Sequence, residues 1–154
     1  MKITVIGGGP GGLYFSILTK KAKPNWEITV YERNKPDDSF GFGVVFSDET
    51  LGEFLKRDMQ SYELIRSNFA YWDDIIVARD GQSVSVAGNG FCGCSRKTLL
   101  QLLHQRCREE GVNLHFEQNV DDLEQFSNSD IIVACDGIGS QIRTQFQENF
   151  GTQI

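Results

Sequence analysis

Three glycines near the amino terminus have the spacing of a phosphate-binding loop. Gly7, Gly9 and Gly12 follow the G-x-G-x-x-G pattern, and Pro10 suits the first turn of a helix because its missing N–H costs little there. The first glycine permits a tight turn, the second lets a pyrophosphate approach the backbone, and the third brings a helix close to a strand. The N–H groups and the positive dipole end of that helix favour phosphate. The pattern therefore indicates dinucleotide binding.

The pattern indicates a dinucleotide site only when the glycines lie between a strand and a helix, with a second strand after them. The run from Ile3 to Ile6 is short and rich in β-branched residues, which suits a buried parallel strand. A helical segment follows and stops at Pro24. The next strand, Glu27 to Tyr31, leads into Glu32, twenty positions after Gly12, where a dinucleotide fold places an acid that binds ribose hydroxyls. The alternative is a glycine-rich turn in another kind of α/β protein.

The remaining segments predict an α/β domain with a doubly wound, Rossmann-like parallel sheet over residues 1–154. Two strands that flank an Asp-Gly turn interrupt the α/β alternation, so we expect residues 68–90 to form an inserted β-hairpin region that covers a substrate. The predicted elements after the first βαβ unit are a helix capped by Ser47, the hairpin strands Ala70–Val77 and Ser83–Ala87, a helix Ser95–Glu110, a strand Val112–Phe116, a buried parallel strand Asp130–Asp136 and a helix Ser140–Phe150.

The overall composition excludes several classes of protein. The 154 residues have a formal net charge of −6, which argues against nucleic acid as a partner because phosphate binding needs a basic surface. We find no signal peptide and no segment that could span a bilayer. No second Cys or His pair stands at zinc-ligand spacing, so we expect no metal site. We expect a cytoplasmic protein whose thiols are reduced and packed; these are the thiols of Cys92, Cys94, Cys107 and Cys135.

Separated stretches of the chain together resemble one family. The family is that of flavoprotein aromatic monooxygenases of the para-hydroxybenzoate hydroxylase type. Its FAD-binding start resembles Gly7–Leu13 together with Val30–Arg33. Its diphosphate-contacting helix resembles Ser95–Leu100, and its Asp-Gly motif resembles Cys135–Arg143. The stretch Phe40–Leu51 looks most like the branch that hydroxylates aromatic acyl-CoA esters such as salicylyl-CoA or anthraniloyl-CoA, with tryptophan-derived pigment hydroxylases nearby.

The resemblance implies FAD as cofactor, NAD(P)H as co-substrate, and a small aromatic molecule and O₂ as substrates. Members of the family are much longer and have a later Gly-Asp motif, which is absent here. We therefore expect an N-terminal FAD-binding part that is inactive alone and that self-associates through exposed apolar surface. The open alternatives are a non-catalytic FAD- or nucleotide-binding module and an FAD-dependent oxidase or reductase on the same scaffold.

The candidate site residues follow partly from the pattern and partly from the resemblance. The pattern assigns the three loop glycines, together with Pro10, to the diphosphate and Glu32 to the adenosine ribose. The resemblance adds Arg33 along the AMP portion, with a solvated surface arginine as the alternative. It also adds Arg96 as a diphosphate contact, because a guanidinium matches phosphate geometry; the alternative is an ordinary charge at a helix start.

Two further pairs are candidates through the resemblance. Asp136 and Gly137 follow a predicted strand, where ligands bind in open α/β sheets, and their alternative is a simple turn. Gly41 and Gly43 are expected to border the isoalloxazine, or else to mark a bulged core strand. We assign no catalytic acid or base, since both histidines, His104 and His115, are expected to be structural or exposed.

Overall fold

The computed structural model describes residues 1–88 and 90–150. They form two compact units: the first contains residues 1–38 and the chain from residue 103 onward, and the second contains residues 39–102. The strands are β1 (Lys2–Ile6), β2 (Glu27–Tyr31), β3 (Gly43–Ser47), β4 (Ala70–Trp72), β5 (Ile75–Arg79), β6 (Gln82–Val86), β7 (Phe91–Ser95), β8 (Asn113–His115) and β9 (Ile131–Ala134). The α-helices are α1 (Pro10–Ala22), α2 (Asp48–Arg57), α3 (Met59–Asn68), α4 (Arg96–Glu110), α5 (Gln141–Gln145) and α6 (Gln147–Phe150).

The first unit is built on a four-stranded parallel sheet in the order β8-β2-β1-β9. The central strand β1 is fully enclosed, with Ile3 paired to Ile28 on one side and to Ile131 on the other. Its β-branched residues suit a strand that is covered on both faces. This confirms the parallel α/β class and the βαβ start that the sequence predicts.

Helix α1 connects β1 to β2 and begins as the sequence indicates. Pro10 occupies its first position and Gly9 its N-cap, and Lys20 and Lys21 lie in its last turn, where cations favour the helix dipole. Leu13 and Ile17 are fully buried on the helix face that packs toward the sheet. The helix thus fixes the glycine loop at the carboxyl end of β1.

Helix α4 is the long helix that the sequence predicts after Ser95. The hydroxyl oxygen of Ser95 accepts a hydrogen bond from the N–H of Thr98 at 3.0 Å, and Gly111 ends the helix with a φ of 79°. In the first unit, Cys107 is fully buried and its thiol contacts the carbonyl oxygen of Leu13 at 3.6 Å. Four apolar residues of this helix are buried: Leu99, Leu100, Leu103 and Cys107.

The second unit contains an antiparallel sheet in the order β3-β7-β4, a separate β5-β6 hairpin, and helices α2 and α3. Phe46 stacks against Phe54 and Phe69, with 5.5 Å between ring centroids in each pair. Ser47 caps α2 by accepting from the N–H of Thr50, as predicted. The Asp80-Gly81 turn has positive φ at both residues, which suits a two-residue hairpin.

Three predicted elements differ from the structure. The strand predicted over Ala70–Val77 is divided, because β4 pairs with β7 whereas β5 pairs with β6. The strand Asp130–Asp136, predicted as buried, corresponds to the shorter strand β9. Among the described strands only β1 pairs with β9, so β9 lies half-exposed at the edge of the sheet. The helix predicted over Ser140–Phe150 is two short helices, α5 and α6. None of the helices within the described residues is long and apolar enough to cross a membrane.

Candidate dinucleotide-binding site

Two of the three motif glycines are required by the backbone around them. Gly7 has a φ of 106°, its N–H donates to the carbonyl oxygen of Tyr31 at 2.8 Å, and a Cβ added to it would lie 2.2 Å from the carbonyl oxygen of Cys135. A Cβ added to Gly12 would lie 2.2 Å from the carbonyl oxygen of Gly7. These distances are far below van der Waals contact, so any larger residue would force the loop, α1 and β9 apart.

Gly9 differs from the other two because nothing in the described chain fills the space beside it. Apart from its two neighbours in the chain, a Cβ added there would meet no atom within 4 Å, and its backbone, with φ of −73° and ψ of 172°, is open to any residue. Its carbonyl oxygen accepts the first helical hydrogen bond, from the N–H of Leu13 at 3.0 Å. The first N–H groups of a helix have no carbonyl partner within it. The start of α1 therefore offers both space and N–H donors to an anion.

Glu32 follows β2 and reaches the glycine loop. Its Oε2 accepts a hydrogen bond from the N–H of Gly8 at 2.7 Å. Its Oε1 accepts two, from the N–H of Asn34 at 2.9 Å and from Nδ2 of Asn34 at 2.6 Å. A Cβ added to Gly8 would lie 2.9 Å from Cβ of Glu32, so the close approach needs a glycine. The carboxylate thus joins the end of β2 to the loop after β1.

Sequence reasoning did not identify Gly8 and Asn34 as site residues. Gly8 stands at a variable position of the G-x-G-x-x-G pattern, although a third consecutive glycine was a visible signal of a close contact. Asn34 stands two residues after Glu32, a spacing at which a short amide commonly bonds a neighbouring group. Both are positioned by the neighbouring ends of β1 and β2 in the sheet.

Asp136 and Gly137 lie just beyond β9, next to the glycine loop. The backbone of Gly7 approaches the Cys135–Asp136 peptide, with the N of Asp136 2.9 Å from where a Gly7 Cβ would be. Oδ2 of Asp136 accepts from the N–H of Ile142 at 3.5 Å, and Gly137 has a φ of 89°. The structure therefore brings these two residues to the same carboxyl edge of the sheet as Gly7, Gly9, Gly12 and Glu32. Arg33 is exposed and follows Glu32 directly.

The other three candidates lie in the second unit and are close to one another. The N–H of Arg96 donates to the carbonyl oxygen of Phe42 at 3.3 Å, and a Cβ added to Gly41 would lie 3.8 Å from Cδ of Arg96. Gly41 is exposed with a φ of 99°. Gly43 begins β3, and a Cβ there would lie 2.9 Å from the carbonyl oxygen of Cys94. Strand pairing alone therefore accounts for the glycine at position 43.

The first unit also contains a buried histidine that is unsuited to proton transfer near neutral pH. His104 packs edge-on against Phe116 with 4.9 Å between ring centroids. Burial, reinforced by the charge of Arg108, lowers the pKa of His104 to about 4. Burial also raises the pKa of the Cys107 thiol to about 12, which leaves it unreactive as a nucleophile. Among the described residues, no group of His, Cys, Asp and Glu side chains could hold a metal ion.

These contacts fit the adenosine and diphosphate portions of a dinucleotide. The open space beside Gly9 and the N–H groups at the start of α1 suit a pyrophosphate, which needs close approach to the backbone. The carboxylate of Glu32 lies at the adjacent strand end, where a ribose hydroxyl could donate to it. The arrangement places N–H donors and a carboxylate acceptor at one edge of the sheet.

Known proteins are similar to this chain in sequence and in fold. The family model described as lycopene cyclase protein matches residues 2–147. Salicyloyl-CoA 5-hydroxylase from Streptomyces sp. is 46% identical over 151 residues, which cover 98% of this chain and 29% of that protein. The 3-hydroxy-4-methyl-anthranilyl-[aryl-carrier protein] 5-monooxygenase of Streptosporangium sibiricum is 33% identical over 152 residues, which cover 99% of this chain and 42% of that protein.

The crystal structure of a C294A mutant of 2-methyl-3-hydroxypyridine-5-carboxylic acid oxygenase shares the fold, with a TM-score of 0.79 and 22% identity. The match covers 94% of this chain and 42% of that one. The names of the two curated relatives confirm the resemblance to aromatic hydroxylases that the sequence motifs indicate. The chain spans less than half the length of each of these relatives.

Proposed function

We propose that this chain, which belongs to the lycopene cyclase protein family, is the FAD-binding part of a flavin-dependent aromatic monooxygenase. The observation that supports a dinucleotide site most directly is the glycine loop, where Gly9 faces open space at the start of α1. The reaction class rests on the curated relatives, because the hydroxylase is 46% identical over almost the whole chain.

Each candidate residue has a role in this proposal. The loop at Gly9 and the N–H groups that begin α1 hold the diphosphate, Glu32 binds the adenosine ribose, and Arg33 lies along the AMP portion. Arg96 adds a second phosphate contact, and Gly41 and Gly43 border the flavin ring. Asp136 and Gly137 contact the cofactor at the carboxyl edge of the sheet. When bound, FAD supplies the redox chemistry between NAD(P)H and O₂.

The substrate class of the proposal is an aromatic acyl group on a carrier. One relative's name specifies salicyloyl-CoA and the other an anthranilyl group on an aryl-carrier protein. We extend this class to the present chain, with NAD(P)H as reductant and residues 68–90 as part of the region that covers the substrate. The four cysteines are free, which agrees with a reducing compartment such as the cytoplasm.

The test exchanges this chain for the matching segment of the Streptomyces salicyloyl-CoA 5-hydroxylase. NAD(P)H oxidation and product formation are followed with and without salicyloyl-CoA, and the native hydroxylase is the control. The proposal predicts that oxidation is stimulated by the acyl-CoA and yields a hydroxylated product. A chimera that keeps its flavin but oxidises NAD(P)H without hydroxylation would instead favour an oxidase or reductase, and one that binds flavin but oxidises nothing would favour a non-catalytic module.

A further inference from the structure

The carboxylate of Glu32 is held at both of its oxygens by groups of the first unit. Asn34 supplies two donors to Oε1, its own N–H and its side-chain Nδ2, at 2.9 Å and 2.6 Å. Gly8 supplies one donor to Oε2 at 2.7 Å. The side chain therefore has a fixed orientation between the end of β2 and the glycine loop. A fixed acceptor loses less conformational freedom when a ligand binds than a mobile glutamate does.

The number of donors limits what this carboxylate can still accept. An ionised carboxylate has about four lone-pair positions, two on each oxygen. Among the residues that the structure describes, Asn34 fills both positions on Oε1 and Gly8 fills one on Oε2. One acceptor position therefore remains, on Oε2. A ribose, by contrast, offers two neighbouring hydroxyl groups.

We propose that Asn34 is a positioning residue that restricts Glu32 to a single ribose hydroxyl of the dinucleotide. This inference rests on the proposed function, because it needs a ligand with an adenosine ribose. By holding Oε1, Asn34 leaves Oε2 as the acceptor and keeps the carboxylate against Gly8. Removing its side chain leaves the N–H of residue 34 in place but frees one position on Oε1. The site would then accept from both hydroxyls.

The experiment compares FAD with two analogues that lack either the 2′- or the 3′-hydroxyl of the adenosine ribose. Their dissociation constants are measured by flavin fluorescence for the 154-residue chain and for Asn34→Ala. Asn128→Ala is the matched control, because the side chain of Asn128 accepts from Lys2 at the opposite end of β1. In the same chains without ligand, amide hydrogen exchange of Gly8 reports whether the carboxylate still occupies its N–H.

In the unsubstituted chain, we expect one analogue to bind at least about tenfold more weakly than FAD, since a hydrogen bond to a charged group is lost, and the other to bind like FAD. In Asn34→Ala, both analogues should bind more weakly than FAD, and Gly8 should exchange faster without ligand. Asn128→Ala should behave like the unsubstituted chain. A merely structural role of Asn34 would change the affinity for all three ligands by the same factor.

Two results would overturn the inference while leaving the proposed function intact. The first is that both analogues lose the same affinity relative to FAD in the unsubstituted chain. The second is that Asn34→Ala has the same relative affinities for FAD and the two analogues, and the same Gly8 amide exchange rate, as the unsubstituted chain. If the unsubstituted chain shows no saturable binding of FAD at all, the proposed function of the chain is contradicted, and the ribose assignment with it. The two failures are therefore distinguishable.

Discussion

The two histidines of the chain have opposite surroundings. His104 is 4% exposed and packs against Phe116, whereas His115 is exposed at the end of β8. Burial, with a contribution from Arg108, lowers the pKa of His104 from 6.5 to about 4, although Glu32 and Asp37 act in the opposite direction. The folded chain therefore keeps this ring neutral at a pH where the unfolded chain protonates it.

We predict that His104 makes the chain less stable in mild acid. Its contribution is fully present above pH 6.5 and is lost progressively as the pH falls to about 4, because only the unfolded chain takes up the proton. A shift of this size corresponds to at most about 3 kcal/mol of unfolding free energy. Urea unfolding of the chain and of His104→Leu between pH 7 and pH 4 measures the difference.

His115→Gln is the matched control for this measurement, since it removes the exposed histidine. This variant keeps His104, so its stability should still include the loss between pH 6.5 and about 4 that we attribute to the buried ring. If His104→Leu also lost as much stability between pH 6.5 and pH 4 as the unsubstituted chain, carboxylates elsewhere would be responsible, and our account of the buried ring would be wrong.

The sequence alone predicts the loop glycines and Glu32, and the structure places them together at one edge of the sheet. It does not predict which groups bind the carboxylate, because that depends on how closely the ends of β1 and β2 approach. Gly8 and Asn34 become visible only when that approach is known. The same limit applies to Gly43, whose role in strand pairing follows from the position of Cys94.

Helix α1 crosses the glycine loop at Gly12. A Cβ there would lie 2.2 Å from the carbonyl oxygen of Gly7, 3.1 Å from Cβ of Cys135 and 3.3 Å from Cγ1 of Val5. The first of these neighbours is backbone and cannot rotate away. Close packing of α1 on the sheet therefore depends on the absence of a side chain at this one position.

We predict that Gly12→Ala lowers the unfolding free energy by about 1–3 kcal/mol or more, as expected for overpacking against fixed atoms. Gly11→Ala is the matched control, because it lies in the same turn and an added Cβ meets nothing within 4 Å. That change should be neutral or stabilise the chain by up to about 1 kcal/mol through helix propensity. Chemical denaturation measures both variants, and equal stabilities for the two would contradict the packing account.

The elements that were predicted incorrectly share a physical cause. Periodicity cannot show which partner a strand pairs with, so the apolar run from Ala70 to Val77 appeared to be one strand although Asp73 and Asp74 separate two pairings. The apolar residues of β9 likewise suit a buried strand, but its position depends on its neighbours in the sheet, and it lies at the edge. In contrast, caps and turns depend on local chemistry and were predicted well, as for the Ser47 cap and the Asp80-Gly81 turn.

One face of the β5-β6 hairpin is apolar and exposed. Ile75 pairs with Val86 and Val77 pairs with Val84, so these four side chains share a face. Their exposed fractions are 39%, 45%, 58% and 62%, respectively. An exposed face of aliphatic side chains on a two-stranded sheet tends to associate with other apolar surface.

We predict that the 154-residue chain self-associates through this face. Val77→Lys should shift its elution in size-exclusion chromatography toward the monomer at high protein concentration, because a charge opposes burial of the face. Ser83→Lys is the matched control, since Ser83 pairs with Ala78 on the other face of the hairpin. A monomeric profile for the unsubstituted chain at every concentration would contradict the prediction.

We propose that the open space beside Gly9 receives the diphosphate of FAD, and an FAD titration of the chain and of Gly9→Val tests this role. An added Cβ at this position meets no atom within 4 Å, so we expect the valine variant to remain folded, with an unfolding free energy within about 1 kcal/mol of the unsubstituted chain. Flavin fluorescence should show saturable binding to the unsubstituted chain and none to Gly9→Val. A folded Gly9→Val variant that binds FAD as tightly as the unsubstituted chain would contradict the account.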